Sequence, residues 1–252
     1  QKLLMIRNFI DKDRPVRDVP APIIVVLILS LAMQLHWHSR QEPVAARAED
    51  LPRPMSHRAY VMGSFGEPVA AAKILNLWLQ AFDNQPGISI PLHSLDYEIV
   101  TDWLDTILAL DPRGHYPMLV AARVYGSVSN HEKKRQMMDY IFYKFNEDPN
   151  KHWRWLAHAV ITAKHELKDM PLALKYAHAL AEKATGENVP YWARDMKIIV
   201  LEDMGEVEAA KILVGGLITS GNITDPYELK FLHNKIRILE EKMTKTRQDV
   251  DN

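Results

Sequence analysis

Cysteine is absent from this 252-residue chain. That removes disulfides, thiolate metal sites and a cysteine nucleophile, and it suits a reducing or an oxidising compartment alike. Glycine is sparse, with ten residues scattered along the length. Neither the P-loop spacing nor G-x-G-x-x-G occurs, so no phosphate-cradling loop is available. Charge of one sign is also missing: 31 basic residues oppose 32 acidic ones. No global field then favours nucleic acid. Alternating β-branched runs are lacking, and no G-x-S-x-G elbow is present to mark a serine nucleophile. What remains is a chain that is 47% hydrophobic, enough for a sizeable core.

The first departure from this background is residues 19–37, VPAPIIVVLILSLAMQLHW, an apolar stretch without formal charge. As a helix it is about 28 Å long, near the hydrocarbon thickness of a bilayer. Its centre is Ile23, Ile24, Val25, Val26, Leu27, Ile28, Leu29 and Leu31, the expected membrane anchor. Pro20 and Pro22 fall at its first turn, and His36, Trp37 and His38 form an interfacial end. Lys2, Arg7, Lys12, Arg14 and Arg17 precede it, while Arg40 and Arg47 follow at a distance. The positive-inside rule puts residues 1–18 in the cytoplasm and the rest across the membrane. A buried core helix and a cleaved signal peptide are the competing readings. Ala46-Arg47-Ala48 has the A-x-A form but lies some ten residues past the apolar core, so an uncleaved signal anchor fits better. Residues 38–65 are polar and proline-bearing and read as a linker or loosely packed strap.

From residue 66 the dominant feature is a recurring phrase. Trp103, Tyr140, Tyr176 and Leu213 follow one another at steps of 37, 36 and 37 residues. Leu104, Ile141, Ala177 and Val214 fall beside them, and Leu108, Phe145, Ala181 and Ile218 one turn on. A period in the range of about 20–50 residues marks stacked supersecondary units. Helices are expected at 67–82, with Val69, Ala72, Leu75, Leu79 and Phe82 on one face, and at 96–112. Three pairs follow at 115–127 and 130–147, 151–168 and 170–184, and 190–204 and 206–220. A charged capping helix begins at Pro226, with Ser94 or Asp96 and then Asp225 as candidate caps.

The phrase resembles the tetratricopeptide repeat. The likeness rests on Asp96-Tyr97 leading to Leu108-Ala109-Leu110-Asp111-Pro112, on residues 168–173 (KDMPLA), and on residues 205–210 (GEVEAA). Ala173 and Ala210 match the family's small position five residues after the turn, whereas Val100 and Met137 do not. The period is longer than the family's, and its first-helix signature is not reproduced. The resemblance covers residues 66–220. It implies a degenerate right-handed superhelix of the kind that binds proteins, and it is similar to membrane-anchored bacterial proteins of that type. In that register Trp155, His158, Thr162 and His165 line the concave side of one helix, and Trp192, Asp195, Ile199 and Glu202 that of the next. These eight form the candidate partner-binding groove. Trp155 and Trp192 stand 37 apart, so packing between hairpins competes with ligand contact at both.

Other groups carry less. His158 and His165 share a helix face, but His165-Glu166 lacks the second histidine of a zinc motif. Lys133-Lys134-Arg135 reads as a solvated basic face. Asp102 with Asp105, and Glu206 with Glu208, read as solvent-side carboxylates, and Asn222-Ile223-Thr224 has the glycosylation form. The expectation is an all-α protein: tail 1–18, anchor 19–37, strap 38–65, repeats 66–220, and capping helix and tail 221–252. Its expected role is a non-catalytic adaptor in the bacterial inner membrane with a periplasmic helical domain. No cofactor, metal or nucleic acid is expected, and the partners are other proteins and the bilayer. A permanent subunit of a membrane complex is the first alternative, with an enzyme or a small-ligand binder behind it.

Overall fold

The computed structural model describes residues 19–40, 48–221 and 223–250, the side chains of 246–250 excepted. The predicted tail 1–18, most of the A-x-A motif and Asn222 lie outside the described residues. The chain divides into two units, residues 1–47 and residues 48–252. Both are helical where described, apart from one two-residue hairpin.

In the first unit, α1 spans Ala21–Arg40, and none of its 20 residues is buried. Pro20 precedes it and accepts the Ile23 N–H, and Pro22 occupies its first turn, where a missing donor costs nothing. It is long and apolar enough to cross a membrane. Leu27 and Leu29 are exposed along with nearly every other apolar side chain of this helix.

The second unit begins with α2 (His57–Gly63) and α3 (Pro68–Ala81), followed by a hairpin, β1 (Asn84–Gln85) with β2 (Ile88–Ser89). Gly87, at a φ of 78°, makes its turn. Then come α4 (Tyr97–Leu110), α5 (Tyr116–Arg123), α6 (His131–Glu147), α7 (Pro149–His165) and α8 (Met170–Lys183). The chain continues through α9 (Tyr191–Arg194), α10 (Met196–Asp203), α11 (Val207–Thr219) and α12 (Pro226–Val250). Helix starts follow local chemistry. The carboxylates of Asp96, Asp148, Asp169 and Asp225 each accept a first-turn N–H, and Pro149 and Pro226 open their helices. Helices adjacent in sequence pack on one another from α3 to α8, and α8 packs on both α9 and α10.

The recurring large residues point inward. Trp103, Tyr140 and Tyr176 are buried, and the two phenols reach back one repeat: Tyr140 donates to Asp105 at 2.7 Å and Tyr176 to Asp139 at 2.8 Å. Polar links of similar sequence separation join other neighbours. Lys134 pairs with Glu166, Arg135 with Asp169 and Lys164 with Asp203. Asn150 accepts the Gly186 N–H at 2.7 Å. The basic run at 133–135 is thus not a solvated face: Lys134 is buried, and Lys133 lies 5.1 Å over the Tyr97 ring.

Two further expectations need correction. The strap is docked from residue 48 onward. Leu51 is buried, Trp103 Nε1 donates to the Pro52 carbonyl at 2.7 Å, and the Gln85 amide pairs with both backbone groups of Glu49. Val69, placed on the inward face of α3, is exposed instead. The core itself falls into two clusters, a large one from Leu51 to Val200 and a smaller one uniting α10, α11 and α12 around Ile198, Val214 and Leu232.

Candidate functional site

The eight groove residues do not converge on one open surface. On α7, Trp155 is half-buried against the main core with its indole N–H enclosed, and Thr162 is buried outright. Thr162 therefore lines no surface, because the 155–162 face of α7 turns toward its neighbours. His158 is half-buried, and burial, reinforced by the Arg123 charge, holds its imidazole below the ordinary value. His165 is exposed at the end of α7.

The other four residues are separated by a break in the helix. Asp195 ends α9 and opens α10, so the spacing from Trp192 to Glu202 does not run along one uninterrupted cylinder. Trp192 stays 48% exposed, with its ring edge-on to Trp153 at 5.6 Å, and Ile199 is exposed. Asp195 is buried. Glu202 is held by Lys235 and Lys242 of α12. Burial opposes ionisation of Glu202, yet the two ammonium groups outweigh it and keep the carboxyl below its usual value. Thr162 and Glu202 are accordingly withdrawn from the groove, Thr162 by packing and Glu202 by its pairing with the last helix, and Asp195 is buried at the helix break, where it borders a cavity rather than an open face.

Asp102 pairs with Arg53, and Asp105 receives Tyr140 and Lys144. His152 is buried, and burial first, then the Lys151 charge, push its pKa down to about 4. Among the described residues no group of three or more His, Asp or Glu side chains is placed to hold a metal ion.

A surface outside the predicted set has the stronger chemistry. Along α3, Ala70, Ile74, Leu77 and Ala81 recur at helical spacing and all face solvent, beside Trp78. Ile74 is 66% and Leu77 61% exposed, while Ala72, Asn76 and Leu79 fill the opposite face. Trp78 is partly exposed and rests on Trp103, with ring centroids 4.8 Å apart. The segment just before α3 adds Val61, Met62 and a Phe65 that is 96% exposed. Phe65 and Gly66 both have positive φ, at 51° and 92°, and that turn holds the phenyl ring off the fold.

Leu77 also borders a groove of about 390 Å³, lined further by Ala72, Lys73, Asn76, Ile107, Asp111, Tyr116 and Pro117. Asn76 is 1% exposed, and neither its Oδ1 nor its Nδ2 has a hydrogen-bond partner among the described residues. Leaving such an amide unsatisfied costs about 1–3 kcal/mol. The sequence signal for this face was the all-round hydrophobicity of residues 67–82. Ile74, Leu77 and Trp78 lie off the inward stripe, and a helix apolar on every side has a second face to cover.

No family model, curated protein or solved structure matches this chain.

Proposed function

We propose that this chain is a non-catalytic, membrane-anchored helical-repeat adaptor that holds partner proteins at the bilayer. The observation that carries the reading is the uncovered apolar face of α3, together with the groove that Leu77 shares with Asn76. Burying an exposed Leu or Ile is worth about 1.5–3 kcal/mol each, so a partner gains by covering Ile74 and Leu77, and must add Phe65, Met62 and Trp78 to outweigh the cost of association. A peptide group offers one donor and one acceptor, which is what the two free ends of the Asn76 amide require.

The repeat period of 36–37 residues, the packing of consecutive helices and the inter-repeat tyrosine–aspartate bonds support a TPR-like solenoid of antiparallel hairpins. Helix α1 supports a single-pass anchor, since its exposed apolar side chains need lipid around them. The basic residues ahead of it support a cytoplasmic N-terminus, with the helical unit in the periplasm of a bacterial cell. Tethering to a plane raises the effective concentration of the α3 face toward other membrane proteins.

A permanent subunit of a membrane complex is the second reading, favoured by the Phe65, Ile74 and Leu77 exposures, which are typical of surfaces that are always covered. The test is capture of the full-length protein and its neighbours from detergent-extracted native membranes. Ile74→Glu/Leu77→Glu is compared with Trp155→Ala/Trp192→Ala. Loss of the same captured proteins only in the α3 variant, with thermal stability retained, supports the proposal. Retention of all captured proteins by the α3 variant overturns it. Stoichiometric co-elution through a second column distinguishes the subunit from the adaptor.

A further inference from the structure

A cavity of about 670 Å³ opens where the end of α8, the 184–190 connection, α11 and the start of α12 meet. The repeat pattern explains why it is there. At the position occupied by Leu108 and Phe145 in earlier units, the third unit carries Ala181. At the position of Trp103, Tyr140 and Tyr176, the fourth carries Leu213. Both smaller residues line the cavity, with Ile198 and Leu217 completing an apolar wall. Its volume lies in the range of small-molecule sites, about 300–1,000 Å³.

The lining is also acidic: Asp195, Glu228, Asp225 and Glu187 belong to it, with Arg194 as the base among the described residues. Asp195 is 3% exposed and Glu228 6%. Among the described residues, Asp195 Oδ2 has no hydrogen-bond partner, and neither has Arg194 Nε. The ion pair of Arg194 Nη2 with Glu228 Oε2 in this lining is long at 3.6 Å. Asp195 is therefore a buried carboxylate short of a donor, beside a Glu228 whose ion pair with Arg194 is a long one. Buried carboxylates ordinarily find cationic or hydrogen-bonding partners, because leaving them alone in a low-dielectric setting is expensive.

We propose that this cavity binds an organic cation, an aliphatic chain ending in an ammonium or guanidinium group, with the charged end between Asp195 and Glu228 and the methylenes against Leu213 and Leu217. The cation supplies the donors that Asp195 Oδ2 lacks, and the small residues Ala181 and Leu213 leave room for its stem. The same chemistry comes from a free amine or from a lysine or arginine side chain, and the two sources are separated by experiment. Burial, then the neighbouring Glu228 charge, push Asp195 up to about 7 against a weaker opposing pull from Arg194, and Glu228 is raised too. Glu187, Asp225 and Tyr191 are the other titratable groups facing it. A cation binds the ionised form, so affinity falls as pH drops below about 7 and binding releases protons.

The experiment is isothermal titration of the full-length protein in non-ionic detergent with 1,4-diaminobutane, agmatine and butylamine, with butanol and butyrate as controls. A second arm uses acetylated lysine and arginine amides and short peptides containing them. The expected result is binding of the cations and not of the controls. Asp195→Asn and Glu228→Gln should each weaken it about tenfold or more, and Ala181→Phe, which fills the space, should abolish it while the protein stays folded by circular dichroism. Calorimetry in buffers of different ionisation enthalpy should show protons released. Tighter binding of the free amines marks a metabolite site, and tighter binding of the peptides marks a partner's side chain. Absence of binding by every cation at millimolar concentration overturns the proposal, as do equal affinities in Asp195→Asn and the parent or preference for butyrate. The assay is independent of the α3 face, so either result leaves the adaptor reading to its own test.

Discussion

Replacing Asp195 by Asn should raise stability, and by an amount that grows with pH. The carboxyl is pushed from 3.8 up to about 7, by burial first and by Glu228 second. Across that interval the folded protein keeps a proton that the unfolded chain has already released. Unfolding then liberates a proton, and stability falls as pH rises from about 4 to 7 and stays at its lower level above. The interval corresponds to about 4 kcal/mol at most. A carboxylate beside a cavity recovers part of this through solvation, so about half, near 2 kcal/mol, is expected. For a chain of this size that is about 4–8 °C in Tm. Asparagine does not titrate, so the Tm difference between variant and parent isolates the effect. His152 titrates in the opposite sense, with stability lost as pH falls from 6.5 toward about 4, but it is common to both proteins and cancels. Thermal unfolding in detergent, followed by circular dichroism at about pH 4.5, 6, 7 and 8, is the assay. A difference that stays constant across this range, or shrinks toward high pH, refutes the reasoning, whatever its absolute size.

Three further outcomes are expected. Asn76→Leu should stabilise the fold by about 1–2 kcal/mol by removing an unpartnered buried amide, seen as a higher urea midpoint, and should weaken partner capture if the amide serves the partner. Lys168 occupies a left-handed turn at a φ of 54°, where Gly205 sits one repeat later at 82°. Lys168→Gly should therefore gain up to about 1 kcal/mol, and Gly205→Ala should lose a similar amount, both read as Tm changes. Tyr176→Phe removes the donor to Asp139, 2.8 Å away, and should cost about 1–2 kcal/mol in chemical denaturation, with no effect on capture by the α3 face.

Much of the architecture was legible because it depends on neighbours in sequence. The helical spacing of apolar residues, the aspartate caps at 96 and 225 and the prolines at 149 and 226 act within a turn or two. The apolar stretch that becomes α1 is read directly from composition. The 36–37-residue period located Trp103, Tyr140 and Tyr176 in the core, since positions that recur in a repeat array are the ones that pack.

The surface was not legible in the same way. Thr162, Asp195 and Glu202 occupy helix positions that an isolated hairpin would show to solvent, yet they are enclosed by groups distant in sequence. Glu202 meets Lys235 and Lys242, and Asp195 meets Glu228. The strap read as loose because proline and charge dominate it, while its anchors are Trp103 and Gln85, tens of residues away. The sequence by itself determined most of the helical segments from residue 66 onward and the period with which they recur, because these follow from local hydrogen bonding and spacing, but not the break at Asp195 or the short helix His57–Gly63 inside the strap. Only the tertiary structure decided which faces remain uncovered on α3 and which small residues, Ala181 and Leu213, leave a cavity. Burial is a property of what the rest of the chain places alongside.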